Sequence, residues 1–267
     1  MRVADFGEHA LIQRLQAFCP PHLVGDDAAV LDLPPGQQLV VTTDGLIDGV
    51  HFSLGLTSQP ATMTAVDAGW RAVAANLSDL ASMGATPVGI TVALGLPADL
   101  PVSTVEDLYQ GMTQCLQSHG GDIIGGDIYR SPALSLGITA LGQASPERVI
   151  RRAAAQVGDA ILVSGPHGRS RTGLELLLKP ELQRGSEDSS YIQAHRRPTP
   201  RLDALPALHR LQVKAGMDSS DGLADAVLQI CRASGVGAVL DRTAIDCPTA
   251  PWLQPQQALE WALYGGE

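Results

Sequence analysis

The stretch Gln38-Leu39-Val40-Val41-Thr42-Thr43-Asp44 joins an apolar, β-branched run to two hydroxyls and a carboxylate. Such a run predicts a buried strand, with the polar residues at its carboxyl end. Open α/β proteins usually bind their ligands at that end of the strands. Hydroxyl and carboxylate oxygens are hard ligands that suit Mg²⁺. Taken alone, however, the stretch is equally typical of a strand that ends in a polar turn.

The composition limits the class of protein. The chain has 267 residues, of which 45% are hydrophobic and only 4% aromatic, so we expect a globular protein with an aliphatic core. A net charge of −10 argues against non-specific nucleic-acid binding. The four cysteines are scattered without a CxxC pair, which indicates reduced thiols. No leader or membrane-spanning run is recognisable, so we expect a cytoplasmic protein that does not bind membranes.

Helical and strand-like patterns alternate along the chain, which predicts an α/β (α+β) fold. Outward from the first stretch, residues 45–52 are rich in glycine and predict a loop after Asp44. Residues 125–127 predict a glycine-rich acidic turn after a very short strand. In the same part of the chain the hydrophobic periodicity predicts helices and strands, the helices at 5–19, 60–83 and 103–118 and the strands at 87–96 and 134–141.

A domain boundary is expected near residue 145, which divides the chain into 1–145 and 146–267. In the second part, residues 180–200 are polar and flanked by proline, and we expect them to be exposed. The remaining patterns predict strands at 159–164, 213–217 and 236–240, and helices at 172–178, 201–211, 223–233 and 256–263.

Aspartates beside glycine, serine or threonine recur along the chain, at Asp26-Asp27, Asp44, Asp79, Asp127, and Asp218 with Asp221. If they converge, each pair of carboxylates repels by ~1 kcal/mol at 4 Å in water, so the cluster requires cations. Clustered Mg²⁺ ions serve to hold polyphosphate. Any one of these turns is typical of an ordinary capped turn, and only the set indicates metal. The chain has no P-loop, no helix-opening GxGxxG and no kinase HRD or DFG set, so any ATP would be bound through metal.

Seven stretches together resemble, in order, the motifs of the thiamine-monophosphate kinase family, which belongs to the aminoimidazole ribonucleotide synthetase-like superfamily. They are GDDAAV at 25–30, TTD at 42–44, GVHF at 49–52, NLSDLASMGA at 76–85, GGD at 125–127, DSSDGL at 218–223 and GGE at 265–267. The resemblance covers essentially the whole chain. It implies ATP-dependent phosphorylation of thiamine monophosphate to thiamine diphosphate, with release of ADP, by a homodimer that binds several Mg²⁺ ions.

The resemblance also implies a two-domain fold. Residues 1–145 would form an N-terminal ATP- and Mg²⁺-binding domain that contributes strands to a barrel at the dimer interface. Residues 146–267 would form a C-terminal α/β domain. Members of the family continue beyond the position of Glu267, so we expect this domain to be incomplete relative to the family.

Roles pass to individual residues through the same resemblance. The implied magnesium ligands are Asp27, Thr42, Thr43, Asp44, Asp79, Asp127, Asp218 and Asp221, among which Asp44, Asp127 and Asp221 are taken as catalytic. The implied nucleotide contacts are Gly126, Asp127, Arg152, Ser220 and Tyr109, and the implied substrate contacts are His51 and Glu267. A slip of one residue in the alignment would exchange Arg151 for Arg152.

Alternatives stay open at this point. His51, considered alone, is typical of a surface loop histidine. Another ATP-using enzyme of the same superfamily would carry a similar set of aspartates. A truncated, non-catalytic nucleotide-binding protein is the alternative from a different class.

Overall fold

The computed structural model describes residues 2–6, 8–21, 23, 31–182 and 187–266. For residues 4, 6, 8 and 9 it describes the backbone only. The chain groups into two compact units. Unit 1 comprises Met1–Leu80 and Ala85–Pro146, and unit 2 comprises Ala81–Gly84 and Glu147–Glu267. Helices accompany a mixed β-sheet, so the predicted α/β class is confirmed.

Unit 1 is built around a four-stranded sheet in the order β1-β4-β2-β3. Its strands are β1 (Gln38–Ile47), β2 (Thr86–Leu96), β3 (Asp122–Arg130) and β4 (Ser135–Ala144). Strand β4 is antiparallel to both β1 and β2, whereas β3 runs parallel to β2. The parallel pair follows from the helix that connects β2 to β3, because parallel neighbours need a crossover connection.

Helices cover one face of this sheet. The helices of unit 1 are α1 (Val3–Phe6), α2 (Glu8–Leu15), α3 (Ala65–Ser82) and α4 (Val102–His119). Alternate positions of β4 are buried, and a side chain at Gly142 would meet Leu80 of α3, so the buried positions face the helices. A Cβ at Gly69 would lie 2.0 Å from the Leu108 carbonyl oxygen. Glycine there lets the backbones of α3 and α4 touch.

Helix α3 starts at Ala65, later than the predicted residue 60. A capping box explains the start: the Thr64 backbone N–H donates to the Asp67 carboxylate at 3.3 Å, and the Asp67 backbone N–H donates to the Thr64 hydroxyl at 3.2 Å. These bonds satisfy N–H groups that the first turn of a helix leaves unpaired.

Two predicted turns of unit 1 are strands. Strand β1 continues past Asp44 to Ile47, because its pairing with β4 persists through Gly45–Gly137 to Ile47–Ser135. The predicted loop at 45–52 was therefore wrong for residues 45–47. The predicted turn at 125–127 was wrong as well. Strand β3 runs through it, and a shift in the β2 register after Ile90 takes up one extra residue of β3.

Unit 2 is mainly helical over its described residues. Its helices are α5 (Arg169–Leu178), α6 (Asp188–Arg196), α7 (Leu205–Arg210), α8 (Leu223–Ser234) and α9 (Pro255–Tyr264). Helix α6 lies within the segment that we expected to be exposed, and it buries Tyr191 and His195. That expectation was wrong for these residues, since α6 packs against α5 in this unit.

The predicted strands of unit 2 do not form. Residues 159–164 and 236–240 have no strand assignment, and the segment 213–217 makes only an isolated bridge between Ala215 and Arg151. An apolar run becomes a strand only where another strand pairs with it. Within the described parts of unit 2 these runs have no such partner.

No helix among the residues that the structure describes is long and apolar enough to cross a membrane.

Candidate active site

Strand β1 and helix α3 bring together three of the predicted metal ligands of unit 1. The Thr42 hydroxyl donates to the Asp79 carboxylate at 2.5 Å. Two residues along, the Asp44 backbone N–H donates to the side-chain oxygen of Asn76 at 3.1 Å. Alternation along the strand places Thr42 and Asp44 on the same face. The structure therefore gathers Thr42, Asp44 and Asp79 at one place, although β1 does not end there.

Asn76 is a site residue that sequence reasoning did not select. Its side chain is 0% exposed, and its amide nitrogen donates to the Ala72 carbonyl at 3.0 Å. One end of the amide is thus fixed to α3, while the other end holds the backbone of Asp44. One feature of the sequence could have identified Asn76: it is a polar residue three positions before Asp79, on a helix that is apolar on the adjoining face.

Thr43 lies on the opposite face of β1. Its hydroxyl donates to the Ile138 carbonyl at 2.9 Å and accepts from the Thr139 hydroxyl at 3.2 Å. Thr139 pairs in turn with Thr91 on β2. A row of hydroxyls therefore crosses the face of the sheet that the helices leave open, and no sequence motif pointed to Thr139 or Thr91.

Asp127 and Gly126 lie on edge strand β3. Asp127 pairs with Ala93, which pairs with Gly137 and, through it, with Gly45. Asp127 is therefore on the open face, three strand spacings or roughly 14 Å from β1. Unit 1 does not bring Asp127 together with Asp44, which lies on the face towards α3. A Cβ at Gly126 would lie 2.3 Å from the Val92 carbonyl oxygen, so strand packing is itself a reason for glycine there.

His51 occupies a tight loop after β1. Its ring Nδ1 accepts a hydrogen bond from the Ile47 backbone N–H at 3.1 Å, and the His51 backbone N–H donates to the Ile47 carbonyl at 3.0 Å. Because Nδ1 is an acceptor, the neutral ring carries its proton on Nε2. The side chain is exposed. His51 therefore presents an N–H donor towards solvent from a loop that fixes the plane of the ring.

Tyr109 is placed in the interior of unit 1. It is 5% exposed and packs on Phe18 with a ring-centroid distance of 5.5 Å. Burial, together with the nearby Cys19, raises the pKa of its phenol. Its predicted contact with a nucleotide stays a prediction.

The predicted ligands of unit 2 lie in the loop that begins helix α8. Asp218 accepts from Ser220 twice, from the backbone N–H at 3.4 Å and from the hydroxyl at 2.5 Å. Asp221 and Gly222 follow, and α8 starts at Leu223. Unpaired N–H groups and the helix dipole favour negative charge at such a position. The structure thus joins Asp218 to Ser220 through local hydrogen bonds, and Asp221 follows in the same loop.

Arg151 and Arg152 lie close to α8 but at different points. The Arg152 carbonyl accepts from the Ser234 hydroxyl at 2.8 Å, at the last residue of α8. The Arg151 N–H donates to the Lys214 carbonyl at 2.9 Å, four residues before Asp218. Both side chains are exposed. The backbone contacts leave both as candidates for the nucleotide contact predicted at Arg152.

The donor chemistry of these residues fits Mg²⁺, since carboxylate and hydroxyl oxygens are its usual protein ligands. Among the residues that the structure describes, no three His, Cys, Asp or Glu side chains form a group that could hold a metal ion by themselves. Two predicted site residues, Asp27 and Glu267, lie outside the described residues.

Two family descriptions match most of the chain. The N-terminal domain of AIR synthase related proteins matches residues 25–144, and the C-terminal domain of the same proteins matches residues 156–265. A thiamine-monophosphate kinase from Synechococcus elongatus is 51% identical, in an alignment that covers 99% of this chain and 80% of that protein.

Solved structures agree with these matches. The thiamine-monophosphate kinase of Stenotrophomonas maltophilia K279a superposes with a TM-score of 0.82 at 36% identity, over 100% of this chain and 84% of that one. AaThiL, complexed with AMPPCP and TMP, superposes with a TM-score of 0.79 at 31% identity, over the same shares of the two chains. The chain therefore belongs to the thiamine-monophosphate kinase family, within the AIR synthase related proteins.

Proposed function

We propose that the protein transfers the γ-phosphoryl group of ATP to the phosphate of thiamine monophosphate, which gives thiamine diphosphate and ADP. The observation that carries the proposal is the likeness, over the whole of this chain and 84% of the other, to AaThiL, a protein that was solved in complex with AMPPCP and TMP. A phosphoryl donor and its acceptor bound to one protein at the same time are what a direct transfer between them requires. The attacking phosphate oxygen is already ionised near neutral pH, so the chain needs no strong general base.

Charge neutralisation is the main requirement of this reaction. The two substrates carry about six negative charges between them, and these repel strongly where water is excluded. We propose that Mg²⁺ ions supply the compensating charge, as they do in other phosphoryl transfers. The residues that would hold them are Asp27, Thr42, Thr43, Asp44, Asp79, Asp127, Asp218 and Asp221.

The protein's own groups bind and orient the substrates. The Nε2–H of His51 would donate to the acceptor phosphate, and Glu267 would contact the same substrate. Asn76 would keep Asp44 in place, because it fixes the strand backbone at that residue. The nucleotide contacts would come from Gly126, Asp127, Arg152, Ser220 and Tyr109. Asp44, Asp127 and Asp221 would act directly in catalysis.

We propose that the protein acts as a homodimer through the open face of the sheet in unit 1. Large apolar side chains are exposed on that face, including Leu39 at 49% and Val41 at 56%. Apolar area of this kind marks interaction surfaces. A second copy of the same sheet would cover the part of this face around Leu39 and Val41, in keeping with the barrel that the family resemblance implies.

We place the protein in the cytoplasm and expect neither a nucleic-acid nor a membrane partner. The four cysteines are free thiols, which suits a reducing compartment. The net charge of −10 disfavours association with phosphate backbones or anionic lipid.

A panel of acceptors tests the proposed reaction. The protein is incubated with ATP and Mg²⁺ and with thiamine monophosphate, thiamine or no acceptor, and ADP is followed by a coupled assay. We expect ADP only with thiamine monophosphate, because thiamine lacks the phosphate oxygen that attacks the γ-phosphorus of ATP. ADP formed with thiamine but not with its monophosphate would contradict the proposal.

A further inference from the structure

The loop at 218–222 is held together largely by its own hydrogen bonds. Asp218 accepts from the N–H and the hydroxyl of Ser220, and the Gly222 N–H donates to the Ser219 carbonyl at 2.9 Å. These bonds close a turn of defined shape. They do not by themselves fix where the turn lies in unit 2.

A histidine from a different loop reaches into this turn. The Nε2 atom of His167 lies 2.7 Å from the hydroxyl oxygen of Ser219, in a half-buried position. Ser219 stands between Asp218 and Ser220, for which we propose roles in metal and nucleotide binding. The Ser219 side chain is therefore hydrogen-bonded to the loop that precedes α5. Its neighbours Asp218 and Ser220 lie on either side of this hydrogen bond.

His167 is itself fixed to the body of unit 2. It belongs to the loop Gly165-Pro166-His167-Gly168, which precedes α5. Gly168 has φ 78°, and a Cβ there would lie 2.9 Å from the backbone nitrogen of Ala262 in α9. At Gly222, with φ 105°, a Cβ would lie 2.6 Å from the Leu263 carbonyl oxygen. Both loops thus pack directly on the last turn of α9.

The protonation of His167 suits an acceptor role at Nε2. Burial lowers the pKa of its imidazole, against an opposing hydrogen bond to the Gly165 backbone that favours the charged ring. In the tautomer whose Nδ1–H donates to the Gly165 backbone, Nε2 is unprotonated. In that tautomer Nε2 accepts a hydrogen bond from the Ser219 hydroxyl.

We propose that His167 is a positioning residue that holds the 218–222 loop, through the Ser219 hydroxyl, in the arrangement that binds magnesium-bound ATP. The inference rests on the proposed function, in which Asp218, Ser220 and Asp221 serve the nucleotide and its metal. In this proposal His167 acts on neither substrate directly. Its effect passes through Ser219 to the residues on either side.

Substitution at both ends of the bond tests the inference. His167→Leu and Ser219→Ala each remove the hydrogen bond, whereas His167→Gln places an acceptor oxygen near the former Nε2. We expect the two removing variants to raise the Michaelis constant for ATP roughly three- to tenfold, the loss that one hydrogen bond brings. The constant for thiamine monophosphate should stay within about twofold, since the bond lost is an ordinary one outside the groups proposed to bind the acceptor. His167→Gln should restore the parent value, and the double variant should add nothing to the single ones.

Hydrogen exchange provides a readout that does not depend on activity. We expect the amides of 218–222 to exchange faster in His167→Leu and Ser219→Ala than in the parent. Ser170→Ala is the matched control, because it removes another histidine–serine bond of unit 2, between Ser170 and His195 at 3.1 Å. It should leave the exchange of 218–222 and the ATP constant unchanged.

The outcomes separate the two proposals. A parent protein that makes no thiamine diphosphate contradicts the proposed function, while the exchange experiment still tests the hold of His167 on the loop. An active parent whose ATP constant and loop exchange are the same in Ser219→Ala overturns the inference. Ser219→Ala decides the matter even where His167→Leu fails to fold.

Discussion

The Thr42 hydroxyl donates to the Asp79 carboxylate across 2.5 Å and so joins strand β1 to helix α3. We expect Thr42→Val, which keeps the shape of the side chain, to raise the Mg²⁺ concentration for half-maximal activity about tenfold or more, as the loss of a group that orients a metal ligand does. Thr42→Ser keeps the hydroxyl and should resemble the parent. Magnesium titrations of the rate measure the effect, and equal midpoints for all three proteins would contradict the role assigned to this bond.

Asn76 should matter for stability as well as for activity. In Asn76→Ala the N–H of Asp44 loses the acceptor that it has at 3.1 Å, and a part-buried donor without an acceptor costs about 1–3 kcal/mol in the free energy of unfolding. Denaturant unfolding measures this cost. Gln117→Ala, at an exposed position of α4, is the control and should change stability by no more than about 0.5 kcal/mol. A cost for Asn76→Ala as small as that of the control would rule out the proposed anchoring of Asp44.

His51→Asn separates the two nitrogens of the imidazole. The asparagine oxygen can replace Nδ1 as the acceptor of the Ile47 N–H, whereas the donor at Nε2 is lost. We expect the Michaelis constant for thiamine monophosphate to rise roughly tenfold or more, the loss of a hydrogen bond to a charged group, with little change in the constant for ATP.

Val50→Ala is the neighbouring control for this prediction, since Val50 is 72% exposed in the same loop. Steady-state kinetics with each substrate varied in turn gives both Michaelis constants for the parent and for each variant. A rise in the ATP constant of His51→Asn, with the thiamine monophosphate constant unchanged, would assign His51 to the wrong substrate.

The proposed dimer can be tested on the open face of the sheet. Val41→Lys places a charge on that face, where a second sheet would bury it, and we expect the protein to become monomeric in sedimentation experiments. An unpaired charge in an interface is costly, because it must be desolvated. Val50→Lys adds the same charge at an exposed residue of the loop that follows β1 and should leave the assembly unchanged. A dimer that persists in Val41→Lys would exclude this face as the interface.

Local patterns in the sequence were informative where the local environment decides the structure. The polar end of the β1 run pointed to Thr42, Thr43 and Asp44, of which Thr42 and Asp44 lie on the face towards α3, and the helical spacing placed Asp79 on that helix. The end of strand β1 was missed because pairing with β4, not the residues themselves, carries it to Ile47. The same holds for 125–127, where pairing with β2 makes a strand of a glycine-rich segment.

Contacts between distant segments were beyond the reach of local patterns. His167 and Ser219 are 52 positions apart, and no spacing rule connects them. The apolar runs at 159–164 and 236–240 show the opposite failure. Their composition favours strands, but a strand also needs a partner, and composition does not supply one.

The most direct test of the central claim is the identity of the product. The protein is incubated with ATP, Mg²⁺ and thiamine monophosphate, and thiamine diphosphate is measured by chromatography, beside an Asp44→Asn variant of equal folding stability. We predict that the parent forms thiamine diphosphate and ADP in equal amounts and that the variant loses the activity. A folded parent that consumes no thiamine monophosphate, or an Asp44→Asn variant as active as the parent, would contradict the proposed reaction or the role of Asp44 in it.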